Sequence, residues 1–123
     1  MTEFHNKSPI YLQLMAEIKK KILAGIFAPG EKLPTVRDLA MVEGVNPNTA
    51  QKALTQLEAE GLIYANRTSG RFVTDDKELI GNLRRGFARS SVEDFLDKME
   101  EIGYEGQEIP NLVITIQKER TKQ

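Results

Sequence analysis

The sequence contains no cysteine, so disulfides and thiolate zinc sites are excluded and nothing points to secretion. Its single histidine, His5, stands in an N-terminal tail without helical patterning, where an imidazole metal site or proton relay has no support. No apolar run approaches the roughly 20 residues of a membrane helix, and MTEFHNKSPIY has no apolar signal core. A cytoplasmic location without membrane attachment is expected. A nucleotide-cradling glycine loop is missing too, since TSGR has neither the spacing nor the lysine. The carboxylates of Glu93, Asp97, Glu100 and Glu101 fall at helical spacings. Nothing nearby supplies the burial that acid–base chemistry needs, so they read as a solvated helix face. Serines and threonines are plentiful, but no base accompanies them. The expectation is a protein that is not an enzyme and uses no metal and no cofactor.

What is present suits one compact domain, or a small domain with an appendage, in 123 residues that are 40% hydrophobic and 28% charged. The net charge is −1, and it divides mildly: +2 over residues 1–74 and −3 over residues 75–123. A phosphate-binding surface needs local clustering of cations, which a total does not reveal.

Ser8 reads as a helix cap with Pro9 in the first turn. Ile10, Leu14, Ile18 and Ile22 then recur every four residues, giving an amphipathic helix that ends near Gly25. After the loop FAPGEKLP, Thr35 caps a short helix, with Asp38 as a capping-box-like partner and Val36, Leu39, Ala40 and Val42 as its apolar positions. Gly44 breaks that helix, and Asn46 caps the next one with Pro47 in its first turn. There Ala50, Ala53, Leu54 and Leu57 share one side, while Asn48, Lys52 and Thr55 lie opposite, flanked by Thr49, Gln51 and Gln56. Gly61 closes it. LIYANRTSGRFVT reads as two short strands around an Asn66–Gly70 turn. Helix, helix, turn, helix and hairpin make a winged helix-turn-helix pattern.

From Asp75 onward the character changes. Leu79, Ile80, Leu83 and Phe87 form one helical stripe; Val92, Phe95, Leu96, Met99 and Ile102 form another, rotated by roughly 100°. Either a helix breaks near Gly86–Ser91, or one long helix faces two surfaces in succession. NLVITIQKERTKQ reads as a short helix or a strand, because Pro110 suits a first helical turn while Val113, Ile114 and Thr115 favour strands.

An α-helix fits the major groove of DNA and reads it with its N-terminal residues. Asn48, Thr49 and Gln51 can donate to and accept from base edges, and Lys52 can reach a base acceptor or the backbone. Arg37 opens the supporting helix, where it can meet a phosphate or a guanine, or pair with Asp38 or Glu43. In the hairpin, Arg67 and Arg71 flank Ser69-Gly70, placing two cations beside a tip suited to the adjacent minor groove. Lys19, Lys20 and Lys21 read as a solvated face, and Arg84, Arg85 and Arg89 as solubilising or intersubunit charges.

The stretch SPIYLQLMAEIKKKILAGIFAPGEKLPTVRDLAMVEGVNPNTAQKALTQLEAEGLIY, followed by SGRFV, resembles the DNA-binding domain of the GntR family of bacterial transcriptional regulators. The match runs over residues 8–74 through P-I-Y, G-x-x-x-P-G-x-x-L-P and L-P-[ST]-x-R-x-L-A elements. VNPNTAQKAL and a 49-residue tail look like the YtrA-like subfamily, whose C-terminal region is two helices used for dimerisation. The resemblance implies a mainly α fold with a small β-hairpin: a winged helix-turn-helix DNA-binding domain over 8–75 and a helical dimerisation tail over 76–123. It further implies an unbroken first tail helix through Ser90-Ser91 and a helical QEIPNLVITIQKE. DNA contacts fall by resemblance on Arg37, Asn46, Asn48, Thr49, Gln51 and the wing at Ser69-Gly70. Many relatives carry arginine where Pro47 stands and a basic residue where Gln51 stands, so the base-reading pattern is this chain's own. The large metabolite-binding domain of bigger relatives has no counterpart in the tail, and no small-molecule effector is assigned.

The expected function is a homodimeric repressor that binds double-stranded DNA at a palindromic operator, by resemblance of transporter genes. Dimer contacts are expected from Phe87, Val92, Phe95, Leu96, Met99 and Ile102. The alternative is a winged-helix protein-interaction module whose polar helix face meets a protein.

Overall fold

The computed structural model describes residues 3–4 and 8–122; His5 lies outside them. One compact unit ends at Leu83 and a second begins at Arg84.

In the first unit α1 spans Ile10–Leu23 and buries Leu14, Met15, Ile18 and Ile22. Its start differs from the expected Ser8 cap. Pro9 is itself the cap residue, extended at ψ 142° and without a side-chain cap bond, so helical geometry begins at Ile10. Ser8 contributes its carbonyl instead, which accepts from Gln13 Nε2 at 2.8 Å. At the other end Gly25 adopts φ +79°, a left-handed turn that glycine enters without strain.

Helix α2 spans Val36–Glu43, and Thr35 Oγ1 accepts from the Asp38 amide at 3.1 Å. Its inner face departs from expectation: Val42 is 64% exposed and Glu43 only 4%. The reason is angular. Glu43 continues the series Val36, Leu39, Ala40 at i+7, in the middle of the inward arc, whereas Val42 falls outside it. Lys21 Nζ stands 3.9 Å from the Glu43 carboxylate, so the inward charge is compensated rather than stranded. Gly44, at φ 68°, turns the chain into α3.

Helix α3 spans Pro47–Ala59; Asn46 Oδ1 accepts from the Asn48 amide at 2.8 Å, and Ala50, Ala53, Leu54 and Leu57 are buried. The helix packs against both α1 and α2. Strands β1 (Ile63–Asn66) and β2 (Gly70–Val73) form an antiparallel hairpin pairing Ile63 with Val73, Tyr64 with Phe72, Ala65 with Arg71 and Asn66 with Gly70. Asn66 Oδ1 braces the turn by accepting from the amide and hydroxyl of Thr68, each at 3.1 Å. The segment before α2 lines up along β2: Lys32 bridges Phe72, Leu33 N donates to Arg71 O, and Val73 N donates to Glu31 O. Ile80 packs against this core, which carries the first unit past residue 75.

Helix α4 spans Lys77–Glu101 as one helix through Ser90-Ser91, with no buried residue along its length. Ser91 Oγ donates to the Phe87 carbonyl at 2.9 Å, so the serine's hydrogen bonding stays within the helix. The second unit reverses through Gly103 (φ +93°) and Gly106 (φ +54°) into α5, Glu108–Thr121. Helix wins over strand here because Ile109, Leu112, Val113 and Ile116 repeat at i, i+3, i+4 and i+7. Glu108 in the first turn and Lys118 and Arg120 in the last complement the helix dipole. Among the described residues, no helix is long and apolar enough to cross a membrane.

Candidate nucleic-acid interface

The start of α3 is held from behind and open in front. Buried Ala50, Ala53, Leu54 and Leu57 fix its back to the core, while Asn48, Gln51 and Lys52 are exposed and Thr49 is half-buried. Asn46 spends its side-chain oxygen on the cap, so it sets where the helix begins. Gln51 Nε2 donates to Thr55 Oγ1 at 3.3 Å, a bond with solvent on one side. Lys52 Nζ lies 4.1 Å from the centre of the Tyr11 ring. That cation–π contact tethers the lysine toward the start of α1. Pro9, Ile10, Tyr11, Asn48, Thr49 and Lys52 line one open groove between these two helix starts.

Arg37 is exposed and makes no ion pair among the described residues. Glu43, one acid it could have met, pairs with Lys21. The three lysines expected as a solvated face keep solvent-exposed side chains, and each also has an acidic neighbour. Lys19 meets Glu60, the residue that caps the end of α3, at 2.6 Å, Lys20 meets Glu17 at 3.7 Å, and Lys21 meets Glu43.

The wing also departs from expectation. Arg67, Ser69 and Gly70 are exposed at the tip. Arg71 is not: its Nε donates to Glu58 Oε1 of α3, and both side chains are largely covered. Period-2 alternation explains this, and was available in GRFV. Arg71 lies two residues before buried Val73 and shares its inward face. Arg71 therefore ties the hairpin to α3. Replacing it by glutamine is expected to cost about 1 kcal/mol, lowering the melting temperature by roughly 4–8 °C, as read by thermal unfolding. Tyr11, Lys32 and Glu58 meet Lys52, Phe72 and Arg71 across 41, 40 and 13 residues of chain, pairings that local sequence patterning does not show.

In the second unit Phe87, Val92, Phe95 and Ile102 are exposed, and Leu96 and Met99 half-buried. Arg89 pairs with Glu93 one turn on, at 2.9 Å. Among the described residues, no group of three or more His, Cys, Asp or Glu is placed to hold a metal ion.

Three helices with a hairpin wing, and a polar helix start facing outward, define a winged helix-turn-helix DNA-binding module. The chain belongs to the gntR family of bacterial regulatory proteins, whose family model matches residues 10–73. It is similar to the HTH-type transcriptional regulator YhcF of Bacillus subtilis, 33% identical over 87% of this chain and 88% of that protein. The HTH-type transcriptional repressor YtrA of Bacillus subtilis is 42% identical, over 58% of this chain and 55% of its own length. Among solved structures, a GntR family transcriptional regulator from Listeria monocytogenes aligns with a TM-score of 0.83 at 35% identity, covering 91% of this chain and 98% of that one. The DNA-binding domain of AraR in complex with operator ORX1 aligns with a TM-score of 0.55 at 32% identity, over 58% of this chain and 93% of that domain.

Proposed function

We propose that the protein is a sequence-specific transcriptional repressor of the YtrA-like kind, acting as a two-fold homodimer on a palindromic operator. The carrying observation is the start of α3, where Asn48, Gln51 and Lys52 are exposed above a back fixed by Ala50, Ala53, Leu54 and Leu57. In this reading Asn48, Thr49 and Gln51 read base edges, and Lys52 contacts a base acceptor or the backbone from its seat on Tyr11. Arg37 binds phosphate, and the tip at Arg67, Ser69 and Gly70 approaches the neighbouring minor groove. Asn46 serves through its cap. Repression is favoured by the relatives named as repressors, YtrA and the arabinose metabolism repressor of Geobacillus stearothermophilus. The YtrA-like reading extends this to transporter genes as the regulated set.

A homodimer supplies what one winged unit lacks. A single reading helix covers a half-site, and genomic specificity needs two held at fixed spacing. The exposed apolar residues of α4 offer the means, and two-fold symmetry implies a palindromic operator.

Selection of bound sequences from random duplex DNA tests the reading. Gln51→Ala is expected to relax preference at one base position, costing about 1–3 kcal/mol there. An unchanged selected motif after substitution of Asn48, Thr49 and Gln51 in turn would overturn the assignment. An absence of salt-sensitive binding to DNA would favour a protein-interaction module instead, since phosphate contacts release counterions.

A further inference from the structure

The wing tip gains a cation from an unexpected place. Lys32 bridges Phe72 in antiparallel register, so its side chain emerges on the face that Phe72 shares with Gly70. That is the face opposite Arg71, whose charge is taken up by Glu58. A Cβ built on Gly70 would stand 3.3 Å from Lys32 Cε. The lysine stem therefore lies across the bare Cα of Gly70, and its ammonium, one bond further, sits beside the Ser69-Gly70 tip. Gly70 itself is at φ +105°, a conformation side chains rarely adopt, so both backbone and neighbour favour glycine there. Lys32 is exposed and makes no ion pair among the described residues. Adjacent Glu31 is occupied elsewhere, its Oε1 accepting from the Ala28 amide at 3.0 Å.

We propose that Lys32 is a phosphate-binding cation of the wing, gripping the DNA backbone beside the groove that the tip enters. The inference rests on the DNA-binding reading above. An ammonium is a point charge that suits a phosphate oxygen and carries little base discrimination. Its stem is already laid along the wing, so less side-chain freedom is lost on binding than for a lysine in open solvent.

Fluorescence anisotropy with two labelled duplexes, the selected operator and an unrelated sequence, tests this across a salt series. For Lys32→Gln the log–log salt slope is expected to fall by about 0.9. Affinity at ~0.1 M salt should drop about eightfold on both duplexes, the factor that this slope accumulates over the decade to 1 M. Lys32→Arg should keep the wild-type slope. An unchanged slope for Lys32→Gln, or a loss confined to the operator, overturns the inference while the DNA-binding reading stands. A lower melting temperature with the slope intact makes Lys32 structural and also overturns it. Wild-type protein without salt-dependent DNA binding removes the reading and the inference together.

Discussion

Replacing Phe95 and Met99 together by aspartate is expected to turn the proposed dimer into a monomer that still binds DNA weakly but no longer prefers a palindrome. Helix α4 is 25 residues long and buries none of them within the chain. Phe87 and Val92 are each 54% exposed, Phe95 38% and Ile102 71%. At 100° per residue Val92, Phe95 and Met99 fall within an arc of about 60°. A single apolar seam of that width is what a partner helix covers. In a two-fold interface each substitution is counted twice, so four apolar side chains are lost, each worth about 1.5–3 kcal/mol on burial. Four carboxylates would also have to be desolvated, at several kcal/mol apiece. Dimerisation should thus weaken by at least four orders of magnitude, since each 1.4 kcal/mol is tenfold. Operator affinity falls by the lost effective concentration of the second half, roughly 10²–10⁴-fold. Sedimentation equilibrium at tens of micromolar and binding to full and half operators read both effects. A wild-type monomer, or a double variant that remains dimeric, would remove the dimer from the proposal.

The parts of the fold that were legible in the sequence are those whose signal is local. Thr35 and Asn46 announce helix starts because a short polar side chain reaches an amide two or three residues on. The stripe of Ala50, Ala53, Leu54 and Leu57 announces the back of α3 because periodicity is a property of one helix. What stayed hidden needs a second element. Glu43 falls on the inward arc by its helical position, but its charge is tolerated there because Lys21 of α1 meets it, a partner that VRDLAMVE does not show. Lys32 reaches the wing only because the segment before α2 lies along β2. The continuity of α4 could not be read from stripes that rotate partway along, since a break and a change of partner leave the same pattern. The exposed polar start of α3 was legible for the same local reason as its cap. The tether of Lys52 to Tyr11 was not, as the ring belongs to another helix.

Leu54→Ala is expected to be strongly destabilising in the winged unit, and it links the core to the reading surface. Leu54 is 1% exposed and stands on α3 three residues after Gln51. It lines a small apolar recess of about 10 Å³ together with Ile18, Phe27, Leu33, Pro34 and Leu39. Truncation would enlarge this recess. Leucine-to-alanine changes at such sites cost roughly 2.7–5 kcal/mol. An 80-residue unit holds only about 4–12 kcal/mol in all, so its melting temperature should fall by more than 10 °C. Val42→Ala, on the exposed side of α2, should change stability by no more than about 0.5 kcal/mol. The functional signature follows from where the loss occurs. Below its new melting temperature the Leu54 variant should select the same DNA motif with an undiminished salt slope, because Asn48, Gln51 and the wing are untouched. Above it, operator binding should vanish along with the helical signal. If the two substitutions proved equally costly, or if Leu54→Ala changed base preference in the folded protein, the back of α3 would not be the inert support that its burial implies.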